Sequence, residues 1–305
     1  MTAPDSSTPD QAAPGDVAPG SVLGGTNSFA GGVTAGPALA PSPEAVTGRA
    51  GLLLAPNAGP MTFEGTNSWV LAEPGSRSAV VLDPGPDHLG HLAALARAAA
   101  DRGCGVEIIL LSHGHPDHTA GAAAFARMTG ATILAASPRF ADETIADGAA
   151  LDIGGLRIDV IATPGHSSDS LSFHLPAENT LLSGDTVLGR SAPVILDPDG
   201  RVDQMIASLT RLRELLDDGQ PVVLPGHGPV VREPLELLGI ALEARQARLD
   251  QVAAAVSAGM TTLAEIARHL YGQYDPRISR PIEATVRAHL RYLRDHRGLA
   301  DSISW

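Results

Sequence analysis

A chain of 305 residues is long enough for about two domains, and an apolar fraction of 44% is ordinary for one that buries a core. The formal charge of −13 sets the molecule as a whole against nucleic acid and anionic membranes, leaving only a local basic face open. Every basic residue is Arg, which removes Schiff-base and phosphate-loop lysines, and the lone Cys104 excludes an internal disulfide or a cysteine zinc knuckle.

Residues 1–47 are rich in Pro, Gly, Ala, Ser and Thr, carry Asp5, Asp10 and Asp16, and contain no Arg. Such a stretch cannot offset its ordering entropy by burial, so it is expected to be a disordered tail and not an export signal. No run of about 18 apolar residues follows, so no membrane span is expected, and the single cysteine fits a cytoplasmic setting. Ordered structure is expected from near Gly51, where Leu52, Leu53 and Leu54 open a short apolar run. Strand-like runs at 68–72, 79–82, 106–111 and 132–135 alternate with helical stretches over 91–101 and 121–128, the latter closed by Gly130 at a C-cap position. Shorter strands follow at 156–162, 170–174, 180–183 and 222–224, with a helix over 202–217 before the last. Strands mixed with short helices predict a layered α/β core, here bounded at 48–235.

From Pro234 the pattern is helical. Residues 235–258 form one helix or two, and Thr262 with Glu265 makes a capping box for a helix reaching Tyr271. Pro281 suits the first turn of a last helix ending at Gly298. These helices, with the apolar ending Ile303 to Trp305, suggest a small winged-helix domain over 236–305.

The chemistry concentrates in Leu111-Ser112-His113-Gly114-His115-Pro116-Asp117-His118, which lies between a buried-looking strand and a helix. Imidazoles two residues apart on a strand-end loop can converge on one metal, while Asp117 and His118 turn toward a second. Borderline-soft zinc prefers neutral imidazole, and a catalytic site leaves it an open position. Three more candidates sit in loops flanked by Gly or Pro, each after a strand: His166 in Thr163-Pro164-Gly165-His166, Asp185 in Ser183-Gly184-Asp185-Thr186, and His227 in Leu224-Pro225-Gly226-His227-Gly228. Gly and Pro let the backbone turn sharply there. Taken singly, each is an ordinary turn residue; beside the first cluster they read as ligands.

The pattern His-x-His-x-Asp-His, then His, Asp and His, resembles the metallo-β-lactamase superfamily over about residues 50–235. The resemblance implies a four-layer αβ/βα sandwich holding two Zn2+ per chain, with Mn2+ or Fe as the other metals such a site could take. It implies that His113, His115 and His166 hold one zinc, that Asp117, His118 and His227 hold the other, and that Asp185 bridges them. Asp83, in Val80-Val81-Leu82-Asp83-Pro84-Gly85, matches the family's early aspartate and would fix ligand orientation, though a strand-terminating turn explains it nearly as well. The threads Gly65-Thr66-Asn67-Ser68 and Pro225-Gly226-His227-Gly228-Pro229, with the helical tail, are most similar to β-lactamase-like proteins that carry a C-terminal winged helix. That group is close to the glyoxalase II type and includes an endoribonuclease branch.

The activity so implied is hydrolysis by a metal-bridging hydroxide, with Asp117 accepting or relaying a proton. No large insertion interrupts residues 50–235, which suits a small ester, thioester or related substrate. The alternatives are a metal-dependent endoribonuclease or phosphodiesterase acting on RNA or single-stranded nucleic acid, a mononuclear iron oxygenase, and a non-catalytic binding protein. The complete ligand set speaks against the last two. Arg287, Arg291 and Arg294 share one face of the last helix, with Arg280 and Arg297 near its ends; the stripe could meet phosphate, or form a solvated face with Glu283 and Asp295. His88, His91, His174, His269, His289 and His296 lie outside the ligand pattern, and Ser167 and Ser168 lack the setting of a nucleophile. The oligomeric state is unknown from sequence.

Overall fold

The computed structural model describes residues 44–216 and 219–299. Most of the expected tail, Asp217 at the end of one expected helix, and the ending Ile303 to Trp305 lie outside the described residues. The described residues belong to one compact unit.

The first sheet has seven strands in chain order: β1 (Glu44–Ala45), β2 (Ala50–Leu54), β3 (Asn67–Leu71), β4 (Ser78–Leu82), β5 (Gly105–Leu110), β6 (Thr132–Ala135) and β7 (Glu143–Thr144). It is antiparallel as far as β4 and parallel from β4 to β7. Parallel neighbours need crossovers, supplied by α1 (Leu89–Asp101) before β5 and by the one-turn α2 (Pro116–Thr119) with α3 (Ala122–Thr129) before β6. The second sheet has five strands: β8 (Ala150–Ile153), β9 (Leu156–Ala162), β10 (Leu171–Leu175), β11 (Thr180–Gly184) and β12 (Val222–Pro225), again in sequence order across the sheet.

The two-residue period of a strand sorts its side chains between layers. Trp69, Leu71, Val80, Leu82 and Leu110 face inward and meet Ile158, Val160, Phe173, Leu182 and Leu224 of the second sheet. Their sequence neighbours Val70, Val81 and Ile109 face outward onto Leu92 and Leu95 of α1 and Phe125 of α3. On the far side, Leu181 and Val223 pack against Met205, Leu209 and Leu212 of α4 (Val202–Leu215). Helix, sheet, sheet and helix are thus stacked in the αβ/βα order that the ligand pattern implied.

After β12 come α5 (Pro234–Ser257), α6 (Leu263–Tyr271) and α7 (Ser279–Arg297), so the stretch read as one helix or two is one. The Thr262–Glu265 capping box is formed, and Gly298 ends α7 in the left-handed region at φ 66°. Among the described residues no strand follows these helices. Leu249, Val252, Ile266, Val286 and Leu290 share one core with Met205 and Leu209, which joins the helical region to the fourth layer. No helix of the described residues is long and apolar enough to cross a membrane.

Order begins earlier than Gly51, because Glu44 pairs with Leu52 and Ala45 with Gly51. Strands β7 and β8 carried no clear apolar run; both are short and mostly exposed edges. The β8–β9 hairpin turns at Gly154-Gly155, with φ 58° and 89°, as a two-residue turn of this hand requires.

Candidate metal centre

Each residue marked for chemistry follows the C-terminal end of a strand. Asp83 follows β4, His113 to His118 follow β5, His166 follows β9, Asp185 follows β11 and His227 follows β12. The first sheet therefore presents His113, His115, Asp117 and His118, and the second presents the other three candidates across the seam. Pro116 opens α2 at its first turn, and that single turn carries Asp117 and the fully buried His118 round toward the other imidazoles.

Hydrogen bonds on the outer side of the cluster decide which way four of the five rings point. Asp83 is 1% exposed, with φ 51°; its Oδ1 accepts from the Ser112 N–H at 2.8 Å. Its Oδ2 accepts from the Ser112 hydroxyl at 2.6 Å and from His118 Nδ1 at 2.9 Å. With its proton given to Asp83, Ser112 Oγ is the acceptor for His113 Nδ1, 3.0 Å away. One carboxylate thus orients His118 directly and His113 through a hydroxyl. On the other sheet, His166 Nδ1 donates to the Val194 carbonyl at 2.8 Å and His227 Nδ1 to the Gly65 carbonyl at 3.1 Å. A carbonyl can only accept, so these rings, when neutral, turn an unprotonated Nε2 inward.

The inward atoms crowd together. His115 Nδ1 lies 2.9 Å from both His113 Nε2 and His166 Nε2, and His118 Nε2 lies 3.3 Å from His227 Nε2. Asp117 Oδ2 is 3.1 Å from His227 Nε2. Asp185 reaches both sides of the cluster, 3.5 Å from His118, 3.4 Å from His227 and 3.6 Å from His166. Bare nitrogens facing one another repel, whereas ligands about 2.0–2.1 Å from a tetrahedral zinc are spaced about 3.3 Å apart. Three groupings could hold a cation: His113, His115 and His166; His113, His118 and Asp185; and Asp117, His118 and His227. Asp185 Oδ1 is buried with no hydrogen-bond partner among the described residues. A carboxylate oxygen in that position is costly unless a cation faces it. The donor set therefore fits a metal.

Electrostatics point the same way. Burial would push the Asp185 carboxyl up, but the His118 imidazole beside it, then His227, holds it well below the usual carboxylate range. Burial pushes His113 down, reinforced by the charge of His118. Burial would lower His118 too, yet Asp185 and Asp83 outweigh it and lift the ring well above its ordinary value. Metal binding at such a site displaces protons.

The cluster opens into a cleft of about 170 Å³, lined by Met61, Phe63, Leu188, Pro193 and Val194. Asp117 is the most open of the acidic candidates, its side chain 29% exposed against 9% for Asp185. Gly226 was quoted in the sequence only as a turn residue, yet a Cβ there would lie 2.3 Å from Asp185 Oδ1 and 2.9 Å from His118 Cε1. Gly226→Ala is expected to cut zinc affinity about tenfold or more, read by competition with a chelating dye. Unchanged affinity would show that the cluster tolerates the methyl by moving as a whole. Ser112 was likewise visible in the motif, but nothing in the sequence marked it as the link between Asp83 and His113.

Four of the remaining histidines have local partners or stacking. His88 caps α1, His91 Nε2 meets Ser68 Oγ at 3.0 Å, His174 bonds Asn179, and His296 stacks on Tyr292. Ser167 is tied to Asp169 and Ser170. In the arginine stripe, Arg291 pairs with Asp197 at 2.8 Å, Arg297 with Asp250 at 2.8 Å and Arg294 with Asp295 at 3.2 Å. Those three already have acidic partners, of which only Asp295 belongs to the same helix face.

Two facing sheets with a histidine- and aspartate-lined seam that could hold a metal define an α/β sandwich protein with a candidate metal centre. The family model described as "Metallo-beta-lactamase superfamily" matches residues 61–141 and 133–227, and the chain belongs to that superfamily and is one of its hydrolases. The chain is 30% identical to "Lactamase-like protein vrtG" of Penicillium aethiopicum, over 72% of this chain and 73% of that protein. It is 26% identical to "Atrochrysone carboxyl ACP thioesterase" of Aspergillus fumigatus, over 84% of this chain and 82% of that one. Among solved structures, a metallo-beta-lactamase family protein from Thermus thermophilus superposes with a TM-score of 0.68 at 25% identity, covering 84% of this chain and 96% of its own.

Proposed function

We propose that this chain is a dinuclear zinc hydrolase of small thioesters or related esters. The observation that carries this reading is the convergence of the seven side chains on one seam, with Asp185 between the two outer groupings. In this reading His113, His115 and His166 hold one ion, Asp117, His118 and His227 the other, and Asp185 spans both. Two such ions, when bound, supply Lewis acidity toward a carbonyl and a water acidic enough to be deprotonated near neutral pH.

The protein's own residues do the rest. Asp117 is the proton acceptor. Burial would raise its carboxyl, but the His227 hydrogen bond and the charge of His118 bring it below its usual value, so the carboxylate is ionised at neutral pH, and the residue lines the cleft. Asp83, through Ser112 and His118, holds two rings in register. Met61, Phe63 and Leu188 exclude water and grip an apolar acyl group. In this reading the sandwich, expected over 48–235, carries the catalysis, and α5, α6 and α7, expected as a winged-helix-like accessory part, pack on its fourth layer and wall the space beside the cleft; the lone buried Cys104 suits a cytoplasmic enzyme. Support for a thioester comes from the named thioesterase relative and the compact cleft. Support for the nuclease alternative is weak, because Arg291, Arg294 and Arg297 are already paired.

Metal analysis followed by a substrate panel tests the proposal. About two zinc per chain and turnover of aryl and alkyl thioesters are expected, with loss in EDTA and recovery on adding Zn2+. One iron per chain with oxygen uptake, or cleavage of bis(p-nitrophenyl) phosphate and RNA while thioesters survive, would overturn it.

A further inference from the structure

Beside the metal cleft lies a second chamber of about 380 Å³, between the Pro193–Val194 segment and helices α5, α6 and α7. Met61, Pro193 and Val194 wall both spaces. Its lining is mostly apolar, including Ile278, Ile282 and Tyr271, yet three basic side chains enter it: Arg245, Arg248 and His289. Arg245 is 7% exposed and His289 1%. Arg245 gives one NH2 hydrogen bond to the Pro193 carbonyl, while its Nε is buried with no hydrogen-bond partner among the described residues. Arg248 lies over the Tyr271 ring, 4.6 Å from its centroid. His289 Nδ1 donates to the Thr285 carbonyl at 2.7 Å, which leaves its Nε2 also buried and unpartnered. Among the described residues, no carboxylate pairs with either arginine.

Two guanidinium charges and an imidazole gathered in an apolar chamber without a counter-anion are costly, unless a ligand brings the missing charge. The environment registers that cost. Burial, and then the neighbouring arginines, hold His289 down at about 4, and burial brings Arg245 down to about 10. A group with one acceptor oxygen for Arg245 Nε and a second for His289 Nε2, which takes up one proton from solvent as the anion binds, satisfies both orphaned atoms. A carboxyl group has that form. The partition itself links the two chambers: the Val194 carbonyl holds the His166 ring, and the adjacent Pro193 carbonyl holds Arg245.

We propose that this chamber is the seat for a carboxylate on the substrate, so that the enzyme acts on acyl compounds with an apolar body and a free acid group. The placement of the scissile carbonyl at the metal centre rests on the thioesterase reading above; the carboxylate site does not.

The test is therefore a binding measurement that needs no turnover. Calorimetric titration of the full-length protein with 3-phenylpropionate, 3-phenylpropionamide and 2-phenylethylphosphonate is run as purified and after EDTA. The carboxylate is expected to bind about tenfold or more tightly than the amide, with and without chelator. Arg245→Met should weaken it about tenfold or more, and Arg248→Met, at a half-buried position where folding is not at stake, about threefold or more. Equal binding of acid and amide, unchanged affinity in Arg248→Met, preference for the phosphonate, or loss of carboxylate binding in EDTA would each overturn the proposal. Failure of thioester hydrolysis with intact carboxylate binding would sink the proposed function and leave this site standing.

Discussion

Asp117→Asn is expected to lower kcat/KM for a thioester by about 10²- to 10⁴-fold while leaving the melting temperature close to that of the parent. The substitution preserves shape and removes charge and basicity at the atom 3.1 Å from His227 Nε2. Because Asp117 stands at the cleft and is partly exposed, its amide can be solvated, so folding should not suffer. Zinc content measured on the same sample separates the two parts this residue plays in the proposal. Two ions per chain with activity lost would point to the proton, whereas one ion per chain would point to coordination. Full activity would remove Asp117 from the mechanism.

The second large effect belongs to Asp83→Ala. Its carboxylate takes three hydrogen bonds inside the protein, from the Ser112 N–H, the Ser112 hydroxyl and His118 Nδ1, and is 1% exposed. Deleting it strands all three donors in a dry interior, at a cost of about 3–5 kcal/mol, on the scale of breaking a buried pair. It also frees the His113 and His118 rings to rotate, so zinc affinity should fall about 10- to 100-fold. Urea denaturation and zinc titration of the variant measure the two consequences. A stability loss with unchanged zinc affinity would reduce Asp83 to the strand-ending turn that its sequence context equally allowed.

The candidate ligands were legible because they are bound to local sequence: a histidine pair two residues apart, and three loops whose Gly and Pro announce a turn at a strand end. The core strands were legible for a similar reason, since Trp69, Leu71, Val80 and Leu82 sit in unbroken apolar runs. The β8–β9 hairpin was missed although Gly154-Gly155 between alternating residues is a recognised signal; the exposed Ala150 and Asp152 diluted the apolar pattern. Glu44 and Ala45 were assigned to the tail because two exposed residues bear no strand signature, and only their pairing with β2 makes them one. Ser112 and Asp83 act across a distance of 29 residues, and the chamber of Arg245, Arg248 and His289 draws on three helices and a loop far away in sequence. Arginine and histidine on an amphipathic helix give the same local pattern whether they face water or an apolar hollow, so no reading of single segments could have found that chamber.

The candidate ligands divide between the two sheets: four on the segment after β5, two of them on α2, and three on the loops after β9, β11 and β12. An ion gripped by both groups would act as a rivet through the sandwich, fastening one half of the chain to the other beside the few backbone bonds that already cross, from Asn67 N–H to Gly226 and from Leu171 N–H to Ser112. The same atoms that prepare a reactive water would then also keep the halves from sliding, and loss of the ion would loosen the enzyme's frame together with its chemistry.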